Sequence, residues 1–154
     1  MTLTSISSKQ KALAYITRKA SDGTHQLLVH VHRDFPEAGI QVPAGTIEPD
    51  ETPEEGCLRE ALEESGLKKL RIVEKLGHRE VKAWWDSGKI HSRHFFHVLC
   101  DDTMPDAWSH TVTSGTADKD LVFNYFWVPL DGESNLEVDQ GALIWRLREI
   151  LGVS

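Results

Sequence analysis

Cysteine is scarce in this chain, with Cys57 and Cys100 the two examples in 154 residues. A disulfide framework and a cysteine-rich metal knot are therefore both excluded, because two thiols without metal-like spacing suit buried side chains in a reducing compartment. Positive charge is outweighed: 17 Lys and Arg stand against 24 Asp and Glu, a formal charge of −7. Such a surface has no general attraction for long nucleic acid or an anionic membrane, although bound cations would reverse the field locally. A run of apolar residues long enough to span a bilayer is also missing. The opening residues Met1 to Ser8 lack the basic and apolar segments of a secretory signal, so the cytoplasm is the expected compartment. Repeats, heptads and low-complexity stretches are absent. What is left is a chain of ordinary apolar and charged content, long enough for one domain over residues 1–154 with a sizeable core.

Against that background the densest feature is acidic. Glu60, Glu63 and Glu64 fall within about one helical turn, just after Arg59. Thr52, then Pro53, then Glu55 form a capping box with proline at the first helical position, and Gly66 supplies a stop. A helix from about Pro53 to Ser65 follows. Residues three and four apart share a face, so the three carboxylates can converge although like charges at that spacing repel. Oxygen donors without a nearby cysteine or histidine suit Mg²⁺ or Mn²⁺ better than Zn²⁺, and magnesium commonly takes further ligands from substrate phosphates. The bland reading is a solvated amphipathic helix, with Cys57, Leu58, Ala61 and Leu62 inward and the glutamates in water. The preceding Val42-Pro43-Ala44-Gly45, an apolar segment ending where backbone can approach a ligand closely, shifts the balance toward a site.

Taken together, Gly45, Glu51, Arg59-Glu60-Ala61, Glu63-Glu64 and Gly66-Leu67 resemble a complete Nudix box. The resemblance implies an α/β fold, the Nudix-type α/β/α sandwich with a central mixed sheet. It also implies divalent-metal-dependent hydrolysis of a pyrophosphate bond in a nucleoside diphosphate-linked or nucleoside triphosphate substrate. By that resemblance Glu60, Glu63 and Glu64 hold the Mg²⁺ or Mn²⁺, Gly45 contributes its carbonyl, and Arg59 pairs with Glu51. The catalytic set is then Glu63, Glu60, Arg59 and Glu51, with Glu63 the first choice of general base and Glu60 the second. Asp118, Asp120 and Glu80 are external candidates for that base. A homodimer is expected from the family and from tryptophans that read as exposed. The alternative in a different class is a catalytically weak Nudix module that senses a nucleotide or binds a protein.

Strand patterning extends over Lys11 to Thr17, Gln26 to His32, Leu70 to His78, His91 to Cys100 and Leu121 to Leu130. Gly39 to Pro43 is a short segment leading into the box, Ala83 to Lys89 a hairpin loop, and Asp101 to Lys119 a turn-rich stretch. A closing helix is expected over Asp139 to Leu151, with Leu143, Leu147 and Leu151 at helical spacing. Helices on both faces of the sheet would cover every apolar face. Trp84 and Trp85 in the loop can stack on a nucleobase or cover a loop or dimer contact. Trp127 and Trp145 read as packing residues, and Phe35 as a border of the substrate cleft. Arg33, Arg79, Lys89 and Arg93 are candidate phosphate contacts. His30 and His32 point to one strand face, where satisfied or exposed histidines are the expectation, and His91, His94 and His97 do not share a face. Substrate choice lies in loops outside the box, and a small-molecule nucleoside diphosphate derivative is the expected partner.

Overall fold

The computed structural model describes residues 8–114, 119–132, 135–137 and 139–153. The elements run β1 Ser8–Lys19, β2 His25–His32, β3 Ala44–Thr46, α1 Pro53–Ser65, β4 Leu70–Ala83, β5 Lys89–Cys100, β6 Ala107–Thr111, β7 Val122–Pro129 and α2 Ile144–Leu151. The strands join in the order β4-β5-β1-β2-β7-β6, with β3 paired to β1. β1 and β5 run parallel from Ser8↔Ile90 to Ile16↔Val98, while the remaining strand pairs are antiparallel. The sheet is thus mixed, as expected.

β1 is apolar on both faces because both are covered. Ala12, Ala14 and Ile16 pack with Cys57 and Ala61 of α1 and with Phe96 and Val98 of β5. Leu13 and Tyr15, pointing the other way by strand alternation, pack with Phe95 and with Ile144 and Leu147 of α2. Helices on opposite faces therefore close two core layers around one strand. Tyr15, fully buried, donates its hydroxyl to the Gln140 carbonyl, which pins the chain entering α2 to the sheet.

The pairing of β1 with β2 is short. It covers Thr17↔Leu27 to Lys19↔His25, after which β1 pairs instead with β3 through Lys11↔Thr46, Ala12↔Gly45 and Leu13↔Ala44. β2 meanwhile bridges to Gln41 at His30. The segment ahead of α1 is thereby wedged between two splayed strands, and the splay opens a cleft.

Three expectations need correcting. The stretch Asp101 to Lys119 contains a strand, β6, which pairs with β7 from Ala107↔Phe126 to Thr111↔Val122. It is a short edge strand of polar composition, held by contacts with β7 and α1 rather than by its own patterning. The closing helix begins at Ile144 and not at Asp139, because Asp139 takes a left-handed backbone (φ 64°) and the intervening residues form turns. Trp145 is 57% exposed. Ile144, Leu147 and Leu151 form the packing stripe of α2, and Trp145 lies off it.

Leu147 is fully buried beneath the sheet. Leu147→Ala should lower unfolding stability by about 2–5 kcal/mol, measured as a shift in the urea midpoint at unchanged slope.

Candidate active site

Local chemistry fixes α1 before any tertiary contact is needed. Thr52 Oγ1 accepts from the Glu55 amide at 3.1 Å, and Glu55 Oε1 accepts from the Thr52 amide at 2.8 Å, completing the capping box. At the other end Gly66 adopts φ 75° and its amide reaches the Leu62 carbonyl. A side chain at Gly66 would also collide with the His110 ring, 2.5 Å from the position of an added Cβ. β6 closes this end: His110 Nε2 lies 2.9 Å from the Glu63 carbonyl, and Trp108 Nε1 donates to the Ser65 carbonyl at 2.8 Å.

Arg59 joins the helix to the loop before it. Its Nε and Nη2 donate to the two Glu51 oxygens at 2.6 and 2.8 Å, Nη2 also reaches the Thr46 carbonyl at 2.9 Å, and Nη1 contacts Glu60 at 2.9 Å and Glu63 at 3.4 Å. The hydrogen bond from Arg59 holds the Glu51 carboxyl below its ordinary range, and in turn Glu51, followed by Glu60, raises Arg59 above its own. Glu51 further accepts from the Glu48 amide at 2.8 Å. The Arg59 and Glu51 pairing implied by the resemblance is present as a bidentate fork.

The three helical glutamates differ in setting. Glu64 is buried and accepts from the Ala44 amide at 3.2 Å. Glu60 lies against Gly45 so closely that an added Cβ there would fall 2.1 Å from its carboxyl carbon. Glu63 has the most accessible carboxylate side chain of the two bound to Arg59, at 25% against 14% for Glu60. Among the described residues no three His, Cys, Asp or Glu side chains are gathered into a ready ligand set. The convergence expected from spacing is thus onto one cleft rather than into a closed cage. The donor chemistry nevertheless fits a hard divalent ion: carboxylate oxygens, a bare backbone at Gly45, and open volume for water and phosphate ligands.

That volume is a cleft of about 600 Å³, bordered by Gly45, Glu60, Glu63 and Glu64 on one side. Lys9 and Lys11 of β1 and Arg93 of β5 line it as well. Lys9 and Lys11 share a strand face, and Lys11 stands in register with Arg93 across the parallel pair. Lys11 Nζ donates to Thr46 Oγ1 at 2.9 Å, while Lys9 pairs with Asp86 at 2.9 Å. At the β2 side the lining changes to His30, His32, Phe123, Leu121, Val112 and Val42.

Of the four basic residues suggested as phosphate contacts, Arg93 lines the cleft and Lys89 does not; Arg33 pairs with Asp34 and Arg79 with Asp139. Phe35 is 54% exposed and sets its ring edge-on to His32 rather than lining the cleft itself. Trp84 and Trp85 occupy the turn between β4 and β5, outside that lining, with Trp85 edge-on to His91. Asp86 in this turn accepts from His91 Nε2 at 2.9 Å, and His91 then Lys9 lower its pKa to about 2. Glu80 and Asp120 do not border the cleft, and Asp118 lies outside the described residues. Lys9 and Lys11 escaped notice in the sequence: the strand was read from Lys11 onward, which left Lys9 out, and a lysine on a strand has the same pattern in solvent as in a cleft. His30 is not exposed, being 3% accessible, and its Nδ1 has no partner among the described residues, contrary to expectation. Burial, then the neighbouring His32, lowers its pKa to about 3.

Two outcomes follow. Gly45→Ala should displace the Glu60 carboxylate and lower unfolding stability by about 1–3 kcal/mol, read as a shift in the urea midpoint with the circular dichroism of the folded chain retained. Because the folded pKa of His30 lies below the unfolded one, its stabilising effect is complete above about pH 6.5 and is lost as pH falls toward 3. The loss should be on the order of 2 kcal/mol at pH 5, and urea titrations from pH 7 to 5 should show a shallower decline in His30→Phe than in the parent.

The NUDIX domain profile matches residues 10–144. No curated protein sequence matches the chain. Among solved structures, a C. elegans Ap4A hydrolase in a binary complex superposes with TM-score 0.70 at 19% identity, covering 94% of this chain and 98% of that one. The Nudix hydrolase RenU from M. smegmatis gives TM-score 0.65 at 20% identity, over 93% and 86% of the two chains. The NUDIX domain of Shewanella oneidensis NrtR, complexed with ADP ribose, gives 0.61 at 19% identity, over 92% and 87%. At such identities the likeness to these structures is one of fold. The profile match spans nearly all the described elements and encloses the complete box whose fork and capped helix are described above, and on that ground the chain belongs to the NUDIX domain family of hydrolases.

Proposed function

We propose that this chain hydrolyses a pyrophosphate bond in a nucleoside diphosphate-linked or nucleoside triphosphate compound, with Mg²⁺ or Mn²⁺ as cofactor. The observation that carries this reading is the meeting of both signs of charge in one cleft: Glu60, Glu63 and Glu64 from α1, and Lys9, Lys11 and Arg93 from β1 and β5. A polyphosphate is the ligand class that needs both, since its oxygens bind cationic side chains directly and carboxylates only through a shared cation.

Glu60, Glu63 and Glu64, with the Gly45 carbonyl, would hold the ion. Bound there, it would supply Lewis-acid polarisation of the phosphoryl group and a lowered pKa for a coordinated water. The protein's own part is positional and acid–base. Lys11 and Arg93 orient the phosphate chain and offset charge on the departing phosphate. Arg59 holds Glu60 and Glu63 in place. Glu63, the more accessible of the two helical carboxylates on Arg59 and the one at the longer contact, takes the proton from the attacking water. As the water oxygen bonds to phosphorus, the bridging P–O bond breaks and its electron pair leaves with the second phosphate.

The test is turnover of a panel of nucleotide sugars, nucleoside triphosphates and dinucleoside polyphosphates with Mg²⁺ or Mn²⁺, with products identified by mass. Hydrolysis should appear, should stop on chelation, and should fall about 10²–10⁴-fold in Glu63→Gln at unchanged melting temperature. Binding without turnover under every metal would reverse the reading toward a nucleotide-sensing module.

A further inference from the structure

We propose that His110 is a positioning residue for the metal-holding carboxylates: through its bond to the Glu63 carbonyl it fixes the last turn of α1, and with it Glu63 and Glu64, from outside the helix. The proposal deepens, and rests on, the reading of Glu60, Glu63 and Glu64 as the set that holds the ion.

The end of a helix is its least constrained part, because its last carbonyls have no partner within it. In α1 that end is also where two of the three glutamates stand. The helix terminus serves two late carbonyls itself: Leu62 receives the Gly66 amide, and Ala61 receives Ser65 Oγ at 2.6 Å. Glu63 and Ser65 are served from β6. His110 Nε2 lies 2.9 Å from the Glu63 carbonyl, and Trp108 Nε1 donates to the Ser65 carbonyl at 2.8 Å, from 47 and 43 residues further along the chain. A carbonyl only accepts, so His110 carries a proton on Nε2.

The bond falls where the site needs it. Arg59 reaches Glu63 at 3.4 Å against 2.9 Å for Glu60, so the Glu63 carboxylate is loosely held at its tip and depends on the backbone beneath it. Glu64 follows on the same turn, its carboxylate against the Ala44 amide. Successive helical residues rotate by about 100° around the axis, and a last turn that frays or tightens therefore swings both carboxylates. Gly66 lets the imidazole in: its φ is 75°, and a Cβ there would fall 2.5 Å from His110 Nδ1. β6 is itself registered on the cleft wall. His110 stands opposite Phe123 of β7, and both Phe123 and Val112, two residues beyond His110, line the cleft. One strand thus grips the helix end and runs on into the site. Hydrogen bonds that orient ligand-bearing groups from behind are commonly worth about 10–100-fold in metal affinity or activity.

His110→Ala and His110→Gln in the full chain separate positioning from simple capping, since glutamine can return an N–H to the Glu63 carbonyl and alanine cannot. The probe is Mn²⁺ alone, its affinity read from the electron paramagnetic resonance signal of the free ion at a temperature where every variant is folded by circular dichroism. Affinity should weaken about tenfold in His110→Ala and return to within about threefold of the parent in His110→Gln. On each panel compound that the parent hydrolyses, kcat should follow the same order while KM stays within about twofold. Leu147→Ala, which loosens the core on the other face of the sheet, is the comparison: it should lower the melting temperature and keep the parental Mn²⁺ affinity. Parental affinity in His110→Ala, a loss that glutamine does not restore, or an equal loss in Leu147→Ala would overturn the proposal. The expected Mn²⁺ ordering without turnover of any panel compound would sink the hydrolase reading and leave the positioning role standing; turnover with Mn²⁺ affinity indifferent to His110 would do the reverse.

Discussion

The Arg59 guanidinium is the constraint on which the site depends. It stands on a helix that also carries Glu54, Glu55, Glu60, Glu63 and Glu64, a clustering that would repel itself and the acidic loop before it. One planar fork resolves this by gripping Glu51 with two donors, turning a third toward Glu60 and Glu63, and sharing one with the Thr46 carbonyl. A lysine would supply the charge and lose the geometry. Through this fork the end of β3, the loop and α1 become one rigid piece. Gly56 permits the approach, since a side chain there would press against Ile47 at 3.0 Å and Glu51 at 3.3 Å.

The second organising feature is the splay of β1 from β2. Three register pairs hold the strands together at one end, and then β3 and the Gln41 bridge take over their edges. The resulting cleft gathers residues far apart in sequence and different in kind: carboxylates from α1, cations from β1 and β5, imidazoles from β2 and an aromatic ring from β7. Its chemistry grades from ionic to aromatic.

This grading explains what the sequence disclosed and what it hid. α1 was legible because its signals are local: a capping box, a proline at the first position, a terminal glycine, and glutamates whose relative placement follows from helical spacing alone. β1 was legible as a strand over Lys11 to Thr17, though its coverage on both faces was not. Lys9, Lys11 and His30 were not, since a lysine or histidine on a strand has the same pattern whether it meets solvent or a cleft, and only the pairing of β1 with β3 and of β2 with β7 decides between them. β6 was hidden for a related reason. Its two inward residues, Trp108 and His110, find their partners on the last turn of α1, some forty residues earlier in the chain, and five residues bounded by turn formers carry too little period of their own.

The same geometry bears on how a cation and the fork coexist. Arg59 Nη1 is divided between Glu60 and Glu63, at 2.9 and 3.4 Å, whereas its grip on Glu51 uses both remaining nitrogens at 2.6 and 2.8 Å. A divalent ion brought to Glu60 and Glu63 would compete for the weaker, shared contacts and would leave the bidentate one intact. The loop and helix would therefore stay clamped while Glu60 and Glu63 changed partners. Glu64 takes no part in that exchange through Arg59, being fixed instead by the Ala44 amide. The carboxylates are thus graded by how firmly the protein itself holds them, with Glu64 anchored to backbone, Glu60 wedged against Gly45, and Glu63 tied by the longest of the contacts. A metal ligand benefits from being fixed, and a proton acceptor from being able to reach water. Under the proposed hydrolysis, that ordering would leave Glu64 and Glu60 the firmer holders of the ion and Glu63 the one freest to reach water, along a single helix face and without any difference in side-chain chemistry.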